Sequence, residues 1–298
     1  MYYSAGTYES FVHPEKPKDV DKKSAYIIGT GLAGLTAAFY LVRDGQMKGE
    51  HIHLLEKSEL AGGSCDGRRD ITKGFFMRGG REMDNHFEVM WDMFRDVPSL
   101  EHPGLSVLDE YYRLNKHDPN YSLCRATVDC GKDAHTDGRF ELDLVKYLES
   151  HGVRIEYGMD VKNVVVAHEG GKIIAKQIVY VRNGEEQTID LIEDDLVFVT
   201  NGSCTDSTCY GDQTHAPDLS GLENGKGEAW DMWKKIAAQA ENGEFGNPAA
   251  FCNDIEATNW MSATVETSNE EVIRHIIDIC KRDPRAGKVT NGGIVTVK

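Results

Sequence analysis

The sequence predicts an α/β protein in which a parallel sheet carries an antiparallel β excursion. A short apolar run at residues 25–28 is followed by glycines and then by apolar residues at helical spacing through Leu41. Residues 51–56 alternate between polar and apolar side chains, which indicates a second strand. The order strand, helix, strand is typical of a parallel sheet, because parallel neighbours need a crossover connection.

Residues 142–200 supply the rest of the predicted core. Residues 142–150 have helical spacing and end at His151-Gly152, and Asn183-Gly184 is a tight-turn signal between two hairpin strands. The predicted strands are residues 153–157, 161–167, 173–182, 187–192 and 196–200. The last of them, LVFVT, is apolar on both faces, as expected for a central parallel strand. Helices are also predicted around 228–239 and 269–281.

Composition argues against several classes of function. The chain has 33 basic and 49 acidic residues, and a net charge of -16 disfavours nucleic-acid binding, since phosphate contacts need a basic surface. The 7 cysteines include no Cys-x-x-Cys pair, which indicates reduced thiols in a cytoplasm rather than a disulfide framework or a metal site. Residues 24–42 are uncharged, but three glycines make them a poor membrane-spanning helix.

A G-x-G-x-x-G motif occupies residues 29–34, directly after the first predicted strand. Its glycines permit a tight turn, the close approach of a pyrophosphate and close packing of helix on strand. The helix N-terminus offers free N–H groups to phosphates, and Glu56 at the end of the second strand can accept hydrogen bonds from ribose. The motif therefore predicts a dinucleotide site. The alternative is a glycine-rich turn that binds nothing.

Two features favour FAD over NAD as the dinucleotide. A second glycine turn, Ala61-Gly62-Gly63-Ser64, follows Glu56 closely. The order helix, Gly152, strand, Val161, meander and VFVTNG is similar to the second half of the glutathione-reductase-type FAD-binding Rossmann folds. In those folds the backbone near Val161 meets adenine, and the loop after the last strand lies near the cofactor. The cofactor-binding residues expected so far are Gly29, Gly31, Leu32, Ala33, Gly34, Glu56, Gly62, Gly63, Ser64, Val161, Asn201, Gly202 and Ser203.

Several longer segments carry a family resemblance. They are AGGS (61–64), RGGREMDNHFE (78–88), DPNYSLCR (118–125), DDLVFVTNGS (194–203) and KRDPRAGKVTNGGI (281–294). With them the sequence resembles the oleate hydratases, formerly called myosin-cross-reactive antigens. The resemblance implies FAD-dependent hydration of the cis double bond of unsaturated fatty acids, from oleate to 10-hydroxystearate, without net redox change. It also implies a cytoplasmic homodimer with peripheral membrane contact.

By this resemblance Glu82 is the catalytic carboxylate. A carboxylate can orient water, accept its proton and stabilise the carbocation-like charge of alkene hydration. Gly79 and Gly80 let the backbone approach a flat ring, and Arg78 and Arg81 can bind a phosphate or the flavin edge. These four residues and Met83 complete the expected cofactor-binding set. From the residues alone, the alternative is an acid that caps a helix.

From Glu82 onward the sequence predicts an amphipathic helix. Its expected core face consists of Met83, Phe87, Met90, Trp91 and Phe94. Acidic side chains lie on another face, without the histidines of a metal site, and this face is predicted to be solvated. These side chains are Asp84, Glu88 and Asp92.

The expected domains are an N-terminal arm (1–23), an FAD-binding domain in two parts (24–140, and 141–210 with the meander) and a partial substrate-binding domain (211–298). Relative to the family, the chain is shortened at its C-terminus and lacks an internal segment near 137–145. In the family that segment carries a tyrosine proposed as the proton donor, so the activity of the shortened chain stays open. The alternatives are a flavin-dependent oxidase or desaturase, and a catalytically dead FAD- or lipid-binding module.

Overall fold

The computed structural model describes residues 15–65, 67–70, 74–77, 87–115, 143–202, 207–212, 214–240, 243–259, 261 and 267–280. The chain forms two compact units. The first comprises Met1–Met93 and Arg139–Met261, and the second comprises Phe94–Gly138 and Ser262–Lys298.

The described strands are β1 (Ala25–Ile28), β2 (Ile52–Leu55), β3 (Gly67–Asp70), β4 (Gly74–Met77), β5 (Arg154–Glu156), β6 (Asp160–Glu169), β7 (Lys172–Arg182), β8 (Glu185–Asp190) and β9 (Leu196–Val199). The described α-helices are α1 (Leu32–Arg43), α2 (Glu88–Asp96), α3 (Val107–Asn115), α4 (Asp143–Ser150), α5 (Glu228–Ala237), α6 (Ala249–Cys252), α7 (Ile255–Thr258) and α8 (Glu270–Cys280). Among the described residues, no helix combines the length and the apolar character needed to cross a membrane.

A parallel sheet and an antiparallel sheet form the centre of the first unit. The parallel sheet has the strand order β5-β2-β1-β9, and the antiparallel sheet is the meander β6-β7-β8. β1 pairs with β2 on one side and with β9 on the other, so that Ile28 lies opposite both Leu55 and Val199. The predicted mixed α/β class is therefore confirmed. Strands β3 and β4, which the sequence analysis did not predict, form a separate antiparallel pair.

The two faces of the parallel sheet are covered differently. Tyr26 and Ile28 pack against a buried cluster that includes the meander residues Val164 and Ile178. Since side chains alternate along a strand, Ala25 and Ile27 face the opposite side, where α1 lies against β1 and β2. Both side chains are fully buried. The sheet is thus held between a helical layer and the meander, and its apolar residues are removed from water on both sides.

Two turns predicted from local sequence patterns, at Asn183-Gly184 and at Gly152, are present in the structure. Asn183 and Gly184 adopt φ angles of 55° and 82° between β7 and β8, where Arg182 pairs with Glu185. Positive φ at both central residues matches the right-handed twist of a two-residue hairpin. Gly152, with φ 81°, follows the end of α4. Glycine adopts this left-handed conformation without steric cost.

β9 differs from its prediction as a central strand. It lies at the edge of the parallel sheet that the structure describes, with β1 as its neighbour. Val199 is 46% exposed. The apolar composition of LVFVT indicated that both faces of the strand are suited to burial. It does not determine whether the strand pairs with one neighbour or with two.

α2 corrects the prediction of a solvated acidic face. The Asp92 carboxylate is buried and lies 2.7 Å from Arg43 Nη2, and the Tyr40 hydroxyl donates to it at 3.0 Å. This places Asp92 against α1 rather than in solvent. Phe87, assigned to the core face, precedes the helix and is 45% exposed, whereas Met93 is fully buried. The pattern of apolar residues predicted a helix. It did not indicate that α1 supplies the partners of Asp92 on the acidic face of that helix.

We expect Asp92→Ala to lower the free energy of unfolding by about 2–3 kcal/mol, because it removes one member of a buried ion pair and its hydrogen bonds. Urea denaturation would measure the loss. The control is Glu149→Ala, which removes an exposed pair with Lys146 at 3.4 Å. Exposed pairs of this kind contribute less than about 1 kcal/mol. Equal losses in the two variants would contradict the structural role of Asp92.

Candidate functional site

The turn between β1 and α1 is held by contacts within the chain at two of its three motif glycines. Gly29 has φ +94°, and its N–H donates to the Leu55 carbonyl at 2.8 Å. A Cβ on Gly34 would lie 2.2 Å from the Gly29 carbonyl oxygen. Both positions therefore need glycine for the fold itself, the first for its backbone conformation and the second for the packing of α1 on the turn.

Within the described part of the chain, neither backbone conformation nor packing requires a glycine at position 31. Its φ of -66° is accessible to any residue, and a Cβ there would meet no described atom within 4 Å. Gly31 is the N-cap of α1, and the first turn of α1 contains no acidic residue. Space at this glycine and a first helical turn without an acidic residue suit the binding of a pyrophosphate.

The second glycine turn lies directly against the first. The Gly62 N–H donates to the Thr30 carbonyl at 3.0 Å, and a Cβ on Gly63 would lie 2.7 Å from the Gly31 Cα. Gly62 and Gly63 have φ angles of 123° and 56°, and a 3-10 turn over Gly63–Cys65 follows. The structure thus brings together two glycine turns that are separated by nearly thirty residues in the sequence, with their backbones in close contact.

Glu56 is buried at the end of β2, and its carboxylate accepts hydrogen bonds from two residues. The backbone N–H of Thr30 donates to Oε2 at 3.0 Å, and the Thr30 hydroxyl donates to the same oxygen. The backbone N–H and the hydroxyl of Ser58 donate to Oε1 at 2.8 and 2.7 Å. Sequence reasoning identified Glu56 but missed Thr30 and Ser58. The signal was present, since both are small hydroxyl residues beside the motif and the acid.

The loop after β9 reaches the same end of the sheet. The Thr200 hydroxyl donates to the Ile28 carbonyl at 2.8 Å, and a Cβ on Gly29 would lie 3.6 Å from the Asn201 Cα. The Asn201 Oδ1 is buried and has no hydrogen-bond partner among the described residues. An unpaired buried acceptor is costly, so this atom is suited to a donor on a ligand. Gly202 follows with φ +96°.

The expected site residues separate into three groups. The described parts of the glycine motif, Glu56, the second glycine turn and Asn201-Gly202 meet at the carboxyl ends of β1, β2 and β9, where open α/β sheets bind ligands. Val161 is buried in the cluster between the meander and the sheet. The remaining expected residues lie outside the described part of the chain. These are Arg78, Gly79, Gly80, Arg81, Glu82, Met83 and Ser203.

A mainly apolar cleft of about 640 Å³ lies beside β9, between the meander and α5. It is lined by residues that include Val164, Val197, Asn201, Trp230 and Trp233. The glycine motif and Glu56 do not line it, and among the described residues the cleft and the candidate dinucleotide site share Asn201 and Gly202.

A group of possible metal ligands occurs in the second unit, where none was predicted. The ligand atoms of Glu101, His102 and Glu110 lie within 4.8 Å of one another. His102 Nδ1 is 3.2 Å from one Glu110 oxygen, and the Ser99 hydroxyl donates to the other at 2.5 Å. These contacts give Glu110 partners within the chain, and we assign the group a structural role.

The protein-family model described as the MCRA family matches residues 22–144 and 142–298. The chain belongs to the MCRA family. This confirms the resemblance to the oleate hydratases, or myosin-cross-reactive antigens. The two matched stretches of the MCRA family meet at residues 142–144, within the region near 137–145 where the sequence analysis placed an internal deletion.

Two curated relatives are similar to this MCRA family chain. An oleate hydratase of Streptococcus pyogenes serotype M49 (strain NZ131) is 37% identical over 386 residues, which cover 100% of this chain and 65% of the relative. A linoleate hydratase of Lactiplantibacillus plantarum is 22% identical over 376 residues, which cover 88% of this chain and 65% of the relative. The first alignment is longer than the 298 residues of this chain, so that relative has additional residues within the aligned region.

Two solved structures are weakly similar to this chain. THI4 of Thermovibrio ammonificans is 12% identical with a TM-score of 0.28, covering 56% of this chain and 54% of that chain. The 3-ketosteroid-delta4-(5alpha)-dehydrogenase of Rhodococcus jostii RHA1 is 15% identical with the same TM-score, covering 62% of this chain and 48% of that chain. Scores this low do not establish a shared fold.

We expect Gly31→Ala and Gly34→Ala to separate ligand binding from folding. A methyl at Gly31 would meet no described atom within 4 Å, so Gly31→Ala should keep the unfolding midpoint within about 2 °C of wild type, while the affinity for FAD, the dinucleotide expected from the sequence, falls about tenfold or more. Gly34→Ala forces α1 away from the Gly29 carbonyl and lowers stability by about 1–3 kcal/mol. Thermal melts and flavin-fluorescence titration measure the two effects. Full FAD affinity in Gly31→Ala would contradict the assigned phosphate position.

Proposed function

We propose that this chain binds FAD and belongs to a protein that hydrates the cis double bond of unsaturated fatty acids, as in the conversion of oleate to 10-hydroxystearate. The observation that carries the proposal is the 37% identity with an oleate hydratase across the whole of this chain. The chain spans 65% of the length of both curated relatives, so the activity is proposed for the whole protein.

The geometry supports a dinucleotide as the cofactor. Gly31 borders open space at the N-terminus of α1, the second glycine turn lies against it, and the buried Asn201 Oδ1 has no partner among the described residues. A parallel sheet backed by an antiparallel meander fits the glutathione-reductase-type arrangement, which favours FAD over NAD. In this arrangement the glycine motif holds the pyrophosphate, Glu56 faces the ribose and the backbone near Val161 meets adenine.

We assign the catalytic role to Glu82. Hydration adds a hydrogen to one carbon of the double bond and a hydroxyl to the other, so the reaction needs a proton donor and an oriented water. The Glu82 carboxylate holds the water and accepts its proton, and its negative charge stabilises the developing cation. FAD, when bound, would supply a flat ring that shapes and polarises the site. Arg78, Gly79, Gly80, Arg81 and Met83 are the residues that would hold it.

The proposed domain organisation and partners follow the family resemblance. The FAD-binding domain comprises residues 24–140 and 141–210, preceded by an arm at 1–23, and residues 211–298 are part of the substrate-binding domain. The whole protein is a cytoplasmic homodimer that takes fatty acids through peripheral membrane contact. A flavin-dependent oxidase or desaturase is the first alternative, and a catalytically dead FAD- or lipid-binding module is the second.

In the whole protein we expect Glu82→Ala to abolish oleate hydration and to leave FAD bound, because the carboxylate acts on water rather than on the cofactor. Product formation is measured by mass spectrometry, and FAD content by absorbance. The control Glu149→Ala, an exposed acid on α4, should retain normal turnover. Wild-type turnover by Glu82→Ala would remove Glu82 from the mechanism, and flavin reduction by oleate would favour the oxidase alternative.

We expect the 298-residue chain itself to turn over oleate at less than about 1% of the rate of the whole protein. The aligned oleate hydratase has residues within the matched region that this chain does not have. The resemblance places the proton donor in that segment, and loss of a general acid typically costs about 10²–10⁴-fold in rate. A side-by-side assay at equal FAD occupancy decides this. Comparable rates would show that the segment is dispensable.

A further inference from the structure

The carboxylate of Glu56 is occupied by hydrogen-bond donors of the chain itself. Oε2 accepts from the backbone N–H and hydroxyl of Thr30, and Oε1 accepts from the backbone N–H and hydroxyl of Ser58. A carboxylate offers about four acceptor positions in total. A ribose hydroxyl can therefore bind Glu56 only by taking the place of one of these four donors.

The four donors differ in how easily they can leave. Two are backbone N–H groups fixed by the turns. Thr30 is fully buried, and Glu56 is the acceptor that the described structure gives to its hydroxyl. The Ser58 hydroxyl is different, because its Oγ lies 2.7 Å from Glu56 Oε1 and also 2.7 Å from the Leu60 carbonyl oxygen. A hydroxyl has one hydrogen, so it serves one of these acceptors at a time.

This second acceptor lets Ser58 release Glu56 without losing a hydrogen bond. When the hydroxyl donates to Leu60, one acceptor position of Glu56 Oε1 becomes free. The Ser58 oxygen keeps its own lone pairs, so it becomes an acceptor beside Oε1. Glu56 Oε1 and Ser58 Oγ are then two neighbouring acceptors, 2.7 Å apart. Thr30, in contrast, keeps Oε2 in place and fixes the orientation of the carboxylate.

We propose that Ser58 is a second ribose-binding residue of this site, acting together with Glu56. Two neighbouring acceptors match the two vicinal hydroxyls of an adenosine ribose, of which one donates to Glu56 Oε1 and the other to Ser58 Oγ. Thr30 is a positioning residue for the same carboxylate. The inference rests on the proposed FAD binding and goes beyond it, because it assigns a ligand contact outside the glycine turns and Glu56.

The test uses the full chain and three nucleotides: FAD, ADP and 2′,3′-dideoxyadenosine diphosphate, which lacks both ribose hydroxyls. Titration calorimetry measures the dissociation constants for wild type, Ser58→Ala and Ser58→Thr. One lost hydrogen bond predicts that Ser58→Ala binds FAD and ADP about 3- to 10-fold more weakly. Ser58→Thr keeps a hydroxyl and should bind nearly as well as wild type. Ser150→Ala, which removes an exposed hydroxyl bonded to the Tyr147 carbonyl, is the control.

The dideoxy nucleotide separates ribose binding from an effect on the loop. If Ser58 contacts the ribose hydroxyls, wild type and Ser58→Ala should bind this probe with equal affinity, because the probe lacks those hydroxyls. The comparison is a double-mutant cycle between the side chain and the ligand. An equal penalty for ADP and for the dideoxy nucleotide would overturn the inference, and so would unchanged affinity of Ser58→Ala for FAD and ADP. If wild type bound neither FAD nor ADP, the proposed function would itself fail, which is a distinct result.

Discussion

The close approach of α1 to the turn after β1 is the constraint on which the candidate site depends. A Cβ on Gly34 would lie 2.2 Å from the Gly29 carbonyl oxygen, so only glycine lets the helix begin this near the sheet. That contact places the N-terminus of α1 at the carboxyl ends of β1 and β2. Phosphate binding needs this placement, because the N–H groups and the positive end of the helix dipole act over a short range.

The helix N-terminus has particular importance in a chain of net charge -16. Long-range electrostatics would repel a pyrophosphate, and the buried carboxylate of Glu56 lies close to the glycine turns. Among the described groups at this site, the fixed dipoles of the helix N-terminus supply attraction at contact distance. The four hydrogen-bond donors to Glu56 reduce the repulsion between its carboxylate and a pyrophosphate, since they compensate the negative charge within hydrogen-bond distance. Thr30 connects the glycine motif with Glu56, because it belongs to the motif and donates hydrogen bonds to the Glu56 carboxylate.

Sequence periodicity predicted the elements of this fold better than their environments. The strands β1 and β2, the helix α1, and the Asn183-Gly184 turn all follow from short-range patterns, which act within a few residues. Asp92 was assigned to solvent because its pairing with Arg43 joins residues 49 positions apart. Thr30 was missed as a partner of Glu56 for a related reason, since their hydrogen bond joins residues 26 positions apart and depends on the relative positions of β1 and β2. Ser58 lies two residues after Glu56, and this local signal was missed. Glu82 was identified only through the family resemblance.

In the proposed function, nucleotide binding and hydration depend on different parts of the molecule. The groups suited to the pyrophosphate and the ribose are backbone amides and a buried carboxylate at the ends of β1 and β2, and chain contacts already fix them. In the proposed mechanism, hydration depends on Glu82 and on a proton donor that the family resemblance places in the internal segment. Under this proposal, a chain that has the nucleotide-binding groups but lacks the proton donor binds FAD without turnover. This makes cofactor affinity and product formation independent measures of the two halves of the proposal.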